Sequence, residues 1–344
     1  MAEGPRPLPI ILRRAAAPIL ITAAILANSP GAAQAPLHPS PPVKIIGPSI
    51  ETLGADHGAG AYPIFTTADL MTGSATARQA LIIIHGRLRN ASDYFATGLA
   101  MVKAAGAAAD ATVVIAPQFL DRIDATAHQL SDRYLQWNYD WENGAPAQSP
   151  ASPRPGRPAA NSYDVLDDVV TKLSNTAVFP SLRGIVFVGH GGGAQMLARY
   201  AVVMHPQPGP PVRFVIANAG TYLYPTTARP VRLECPDFNR WKYGLDNPPP
   251  YVKDAASVLK GFAARDVTLL LGTRDRKASG ILDQSCAART QGRNRFERGR
   301  NFARILTSQG LAPHLKYSIV RGVGHNESGM LLSSEAAAAI FAAR

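Results

Sequence analysis

Two cysteines in 344 residues, Cys235 and Cys286, exclude a disulfide framework and a thiolate metal cage. Neither stands where a strand pattern gives way to a helix, so a cysteine nucleophile is not expected. The eight histidines are scattered, which leaves no metal-ligand cluster, and no metal or other cofactor is expected. No apolar run approaches the roughly 20 residues of a membrane-spanning helix. Acidic residues are outnumbered, 24 to 35, for a formal charge of +11. No nucleic-acid-binding motif accompanies that charge, so nucleic acid is not expected as a partner. An anionic envelope surface is the partner class the charge does suit.

The N-terminus carries a leader signature. Arg6, Arg13 and Arg14 precede an apolar run over 15–27, and Ala33-Gln34-Ala35 follows. A positive start, a short apolar core and an A-x-A end predict a signal peptide over 1–35, cleaved after Ala35. Its removal takes away three arginines and Glu3, so the charge falls from +11 to +9. Export to the periplasm or beyond is expected, and in that setting the two cysteines predict one disulfide.

The body of the chain alternates between two periodicities. Continuous apolar runs at 80–84 and 112–116 predict strands buried on both faces of a parallel sheet, with a helix over 91–108 between them. A short strand is expected at 62–65, after a Pro- and Gly-rich lead-in over 36–60. The stretch 117–161 loses periodicity but holds Trp137, Tyr139 and Trp141, so its first half is expected to be anchored and 145–160 mobile. Ser162–Leu173 resumes a helix, and Val212–Ala217, 266–275 and 314–320 predict further strands. An arginine-rich helix over 287–309 is expected to be a solvated face, and a last helix begins near Met330. The fold class is therefore α/β, a doubly wound, mostly parallel sheet in one domain over 36–344. The irregular stretch 221–262, with Trp241 and a triple proline, is expected to form a lid-like insert over the strand C-termini. The three tryptophans suit loop anchors and cleft walls equally.

One more absence bears on chemistry. The apolar run 185–188 stops at Gly189-His190-Gly191-Gly192-Gly193, and a helical pattern begins at once. Strand, tight turn and helix in this order make the nucleophile elbow G-x-S-x-G, in which a serine stands exposed on a strained turn. Here the serine position is Gly191, which has no side chain to attack with. The same glycines fit G-x-G-x-x-A, a dinucleotide fingerprint, but the following strand runs into Asn218-Ala219-Gly220 and offers no acid to a ribose.

Acyl transfer also needs a base, an acid to orient it and donors for the oxyanion. Asp275 and His325 follow the last two predicted strands, in the order Ser…Asp…His of elbow hydrolases. The backbone N–H groups of Arg87 and Gly192 would form the oxyanion hole. His190 is a conceivable substitute nucleophile, but in related elbows that side chain points away from the base.

His85-Gly86, Arg89-Asn90-Ala91 with Tyr94-Phe95, Gly189-His190, Gly193 with Gln195, Leu270-Leu271-Gly272 through Asp275, and Gly322-Val323-Gly324-His325 together carry a resemblance. Leu282-Asp283 with Cys286, Gln291-Gly292, Arg295 and Arg298-Gly299 extend it. The chain resembles the α/β-hydrolase superfamily, specifically exported esterase-like proteins of bacteria and fungi. Relatives read G-H-S-x-G-G at the elbow, where this chain departs at Gly191 and Ala194. The resemblance implies an esterase scaffold whose nucleophile position is empty. Weak or absent ester hydrolysis, with an ester-like or apolar ligand or a partner bound in the cleft, follows from it. The alternative is an active hydrolase of small ester or acyl substrates that uses His325 and Asp275 with water or another nucleophile.

Overall fold

The computed structural model describes residues 1, 2, 4 and 40–341, apart from 55–59, 107–110, 139, 149–159 and 278–280. The chain divides into two units, Met1–Pro36 and Leu37–Arg344, and every strand and helix among the described residues belongs to the second. The leader expected over 1–35 lies outside the described residues almost entirely, as do Tyr139 and most of the stretch expected to be mobile.

Eight strands form one sheet: β1 (Ser49–Thr52), β2 (Ala61–Thr66), β3 (Gln79–Ile84), β4 (Thr112–Pro117), β5 (Gly184–His190), β6 (Val212–Ala217), β7 (Asp266–Gly272) and β8 (Leu315–Val320). Their order across the sheet is β1-β2-β4-β3-β5-β6-β7-β8. From β4 to β8 every pairing is parallel, while β1 and β2 add an antiparallel edge. The apolar runs predicted as strands are buried along their length because helices cover both faces.

Those helices are α1 (Ala91–Ala104), α2 (Arg122–Ala127), α3 (Ser162–Leu173), α4 (Gly192–Val203), α5 (Ala255–Ala263), α6 (Cys286–Arg289), α7 (Arg295–Ser308), α8 (Glu327–Leu331) and α9 (Ser334–Phe341). Alternation along the strands sorts the core into two. Ile185, Phe187, Phe214, Leu269 and Leu271 pack with Val165, Leu197, Phe262 and Phe302 of α3, α4, α5 and α7. Val186, Val188, Val215 and Leu270 face the other way, onto Met101, Met330 and Ile340 of α1, α8 and α9. The doubly wound sheet expected from the sequence is the one observed.

Several boundaries differ from expectation. The helix predicted over 287–309 is two, α6 and α7, broken at Gly292, where φ is +140°. The lead-in supplies β1, too short to read from alternation. The segment 221–262 begins with buried residues, Thr221 to Tyr224, and ends in α5, whose Phe262 is in the core. Part of 145–160 is held, since Pro146 bridges Asn161 and the Ala147 N–H donates to the Ala160 carbonyl. α3 then starts from a capping box of Asn161 and Asp164.

Cys235 and Cys286 form the expected disulfide, 51 residues apart in sequence, which ties the 221–262 segment to the start of α6. A link closing a loop of that length constrains the unfolded chain by about 2–4 kcal/mol. Replacing both cysteines by serine is expected to lower unfolding stability by that amount, read as a shifted urea midpoint. An unchanged midpoint would show that the link adds nothing.

Candidate active site

β5 and α4 meet at Gly191, and the glycines around it are imposed by backbone contact. A Cβ at Gly189 would lie 2.6 Å from the Gly193 carbonyl carbon, and one at Gly193 would lie 2.2 Å from the Ile84 oxygen. Any larger residue would drive the first turn of α4 off β3 and β5. Gly191 has φ +58° and ψ −112°, a region side chains avoid. A Cβ built there would point at the His325 ring, 3.2 Å from Nε2 and 3.4 Å from Cε1.

The structure brings together the other residues expected at the site. Asp275 follows β7 and is 3% exposed. Its Oδ2 accepts a 2.8 Å hydrogen bond from His325 Nδ1, and its Oδ1 is 3.5 Å from an Arg295 guanidinium nitrogen. His325 is 28% exposed at its side chain, so Nε2 is open toward Gly191. Asn218, fully buried at the end of β6, fixes both loops. It accepts from the Gly272 N–H at 2.9 Å and donates to the Gly324 carbonyl at 3.0 Å. Arg87 and Gly192 also converge, since a Cβ on Gly192 would lie 3.1 Å from the Arg87 amide nitrogen. Among the described residues neither N–H donates a hydrogen bond within the protein.

Glu142 is a member of the site that sequence reasoning missed. It lies in a 3-10 turn, Asp140–Asn143, in the stretch without periodicity, and is 1% exposed. Its Oε1 accepts from Arg87 at 2.6 Å and its Oε2 from Gln195 at 3.0 Å. Burial pushes this carboxyl up, but Arg87, Lys242 and Arg199 together hold it below its ordinary range. Thr221 continues the chain, donating to Gln195 Oε1 and accepting from Arg199. Only the aromatics Trp137, Tyr139 and Trp141 marked this stretch in the sequence.

His190 does not point away from the base. Its ring lies 4.5 Å from that of His325, centre to centre, at 35°. The reason is strand alternation, which puts His190 on the face of Val186 and Val188, where the chain from His325 into α8 also packs. His190 Nε2 is buried without a hydrogen-bond partner, and burial followed by the charges of His325 and Arg295 keeps the ring neutral.

Other candidates are structural. Ser162 donates to the Trp141 carbonyl. Trp137 and Trp141 are buried against Phe119, and Trp241 donates to the Asn143 carbonyl, so all three anchor loops. Arg298 on α7 is wholly buried, its guanidinium and Nε donating to the carbonyls of Gly292, Gly220 and Asp283. With Arg295 also buried, α7 is not the solvated face expected, although Arg293, Arg300 and Arg304 are exposed.

His85 sits beneath the loop that carries Arg87. Its Nδ1 faces the Gly86 carbonyl at 2.8 Å and its Nε2 accepts from the Phe119 N–H at 3.0 Å. The second bond requires a neutral ring, and burial pushes His85 down from 6.5 to about 4. In the unfolded chain the ring titrates near 6.5, so between these values only the unfolded state takes the proton. The stabilisation is complete above pH 6.5 and is lost as pH falls toward 4, by about 3 kcal/mol in all. His190 acts in the same direction. Urea midpoints between pH 7.5 and 4.5 are expected to fall steeply, and less so in His85→Gln. Equal slopes would remove His85 from the account.

No model of a known protein family matches this sequence, and no curated protein sequence matches it. Solved structures do. LpqC, a poly(3-hydroxybutyrate) depolymerase from Bordetella parapertussis, superposes with a TM-score of 0.59 at 22% identity, over 86% of this chain and 90% of that one. Poly(aspartic acid) hydrolase-1 from Sphingomonas sp. KT-1 gives 0.61 at 20% identity, over 86% of this chain and 99% of that one. At such identity the likeness is one of fold, and the fold is that of the α/β hydrolases.

Proposed function

We propose that this chain is an exported α/β-hydrolase-fold protein in which Gly191 occupies the nucleophile position. Ester hydrolysis is then weak or absent, and the cleft binds a small ester-like or apolar ligand. The observation that carries the reading is the intact pair His325–Asp275 aimed at a residue with no side chain: Nε2 stands 3.2 Å from where a Cβ on Gly191 would be. Removal of one triad member leaves only about 10³–10⁴-fold acceleration over water, from oxyanion donors and binding. The free N–H groups of Arg87 and Gly192 are the donors in this reading. The 221–262 segment serves as the wall over the cleft.

Export is supported by the leader signature and by the disulfide between Cys235 and Cys286. The positive charge suits contact with an anionic envelope surface.

The test is turnover of short and medium p-nitrophenyl esters by the purified protein and its Gly191→Ser variant. A nearly silent parent is expected. A parent that hydrolyses esters, and loses that activity in His325→Ala, would replace this reading with the alternative in which His325 activates water.

A further inference from the structure

The 221–262 segment places an ammonium beside the oxyanion donors with its hydrogen bonds unspent. The side chain of Lys242 is 24% exposed, and its nearest carboxylate oxygen, Asp283 Oδ2, is 3.8 Å away, beyond hydrogen-bond reach. That oxygen already accepts from the Tyr243 hydroxyl at 2.6 Å, and the other oxygen of Asp283 accepts from the Ser285 N–H at 2.9 Å. The second carboxylate facing Lys242 is Glu142, whose oxygens are taken by Arg87 and Gln195. Among the described residues nothing accepts a hydrogen bond from Lys242 Nζ.

The local charge is also unbalanced. Lys242 faces the carboxylates of Glu142 and Asp283 and the guanidiniums of Arg199 and Arg87. These four cancel, and a third carboxylate, Asp140, faces Arg87 rather than Lys242, so the charge of Lys242 is met only by Asp283 at 3.8 Å. Arg199 is fully buried, its two terminal nitrogens donating to the Gln195 carbonyl and the Thr221 hydroxyl, while its Nε is sealed in without a partner. Arg87 has half its side chain exposed, with Nη2 and Nε turned to Glu142. Among the described residues its Nη1 donates to nothing. Two cationic donors with free N–H groups therefore flank one corner of the cleft. Burial works against keeping Lys242 charged, and an anion seated there would offset that cost.

This corner adjoins the oxyanion donors. Glu142 Oε2, which sets the position of Arg87, is 3.2 Å from a Cβ built on Gly192. We propose that Lys242 and Arg87 form a subsite for a carboxylate carried by the ligand, so that the cleft takes half-esters of dicarboxylic acids in preference to neutral esters. This rests on the ligand-binding reading above and narrows its ligand class.

Calorimetric titration of the purified protein with monomethyl succinate and with dimethyl succinate, at low ionic strength, tests it. The two probes share the ester and differ in one carboxylate. The half-ester is expected to bind about tenfold tighter or more, as a charge-assisted contact implies. Lys242→Met is expected to abolish that preference, and Lys242→Arg to restore it. Should Lys242→Met fail to fold, Lys242→Gln carries the same expectation. Equal binding of the two probes, or a preference that survives in a folded Lys242→Met or Lys242→Gln, overturns the subsite and leaves the ligand reading standing. No binding of either probe overturns both.

Discussion

Gly191→Ser is expected to raise p-nitrophenyl ester turnover by about 10³-fold or more, because on the proposed reading it supplies the one missing member of a unit whose parts act together. The geometry favours a productive hydroxyl. The Cβ would lie 3.2 Å from His325 Nε2, so the ring, whose side chain is 28% exposed, must give by a few tenths of an ångström. The backbone is already at φ +58° and ψ −112°, and glycine holds it without a side-chain clash. A serine there takes on strain of about 1–3 kcal/mol. The variant should therefore melt lower than its parent while gaining activity and labelling with a serine-directed phosphonate. Gly191→Ala separates the two effects, with the same loss of stability and no gain in turnover. His325→Ala in the serine background should abolish the gain. A folded Gly191→Ser that neither turns over esters nor takes up the phosphonate would show that the cleft is no longer shaped for acyl transfer.

Arg89→Met is expected to be the most damaging change to stability, at about 3–5 kcal/mol, because it strands a buried carboxylate. Arg89 and Asp124 are both fully buried and paired through two contacts, Nε to Oδ2 at 2.6 Å and Nη2 to Oδ1 at 3.1 Å. Arg89 also donates to the carbonyls of Pro41 and Arg87, and Asp124 accepts from the N–H groups of Val43 and Asp121. One ion pair thus ties the lead-in, the loop bearing the Arg87 donor, and α2. A fall in melting temperature of the order of 10 °C should accompany the change. Removing both charges, as Arg89→Met with Asp124→Leu, should cost less than Arg89→Met alone, since no unpaired charge stays buried. A double variant as unstable as the sum of the singles would mean that the pair's backbone contacts, not its charges, hold the loop.

The legible parts of the site were those fixed by backbone geometry. Gly189 and Gly193 read as an elbow because only glycine tolerates backbone that close, and Asp275 and His325 read as a pair from their places after β7 and β8. Glu142 and Lys242 were not legible. Both stand in segments without periodicity, and what gives them meaning is a neighbour far along the chain. Arg298 misled for a related reason. In sequence an arginine-rich helix reads as solvated, yet three carbonyls brought together by folding accept the N–H groups of this one. The orientation of His190 follows from strand parity, but that it meets His325 depends on where the loop after β8 returns.

The sequence by itself determined the parallel sheet, the helices on both faces and the glycine at the elbow, because each is a local pattern of burial period or backbone crowding. Tertiary structure alone decided which charges share a pocket, which donors are left free and which arginines are sealed inside. Those properties depend on distances between groups that the order of residues along a chain does not set.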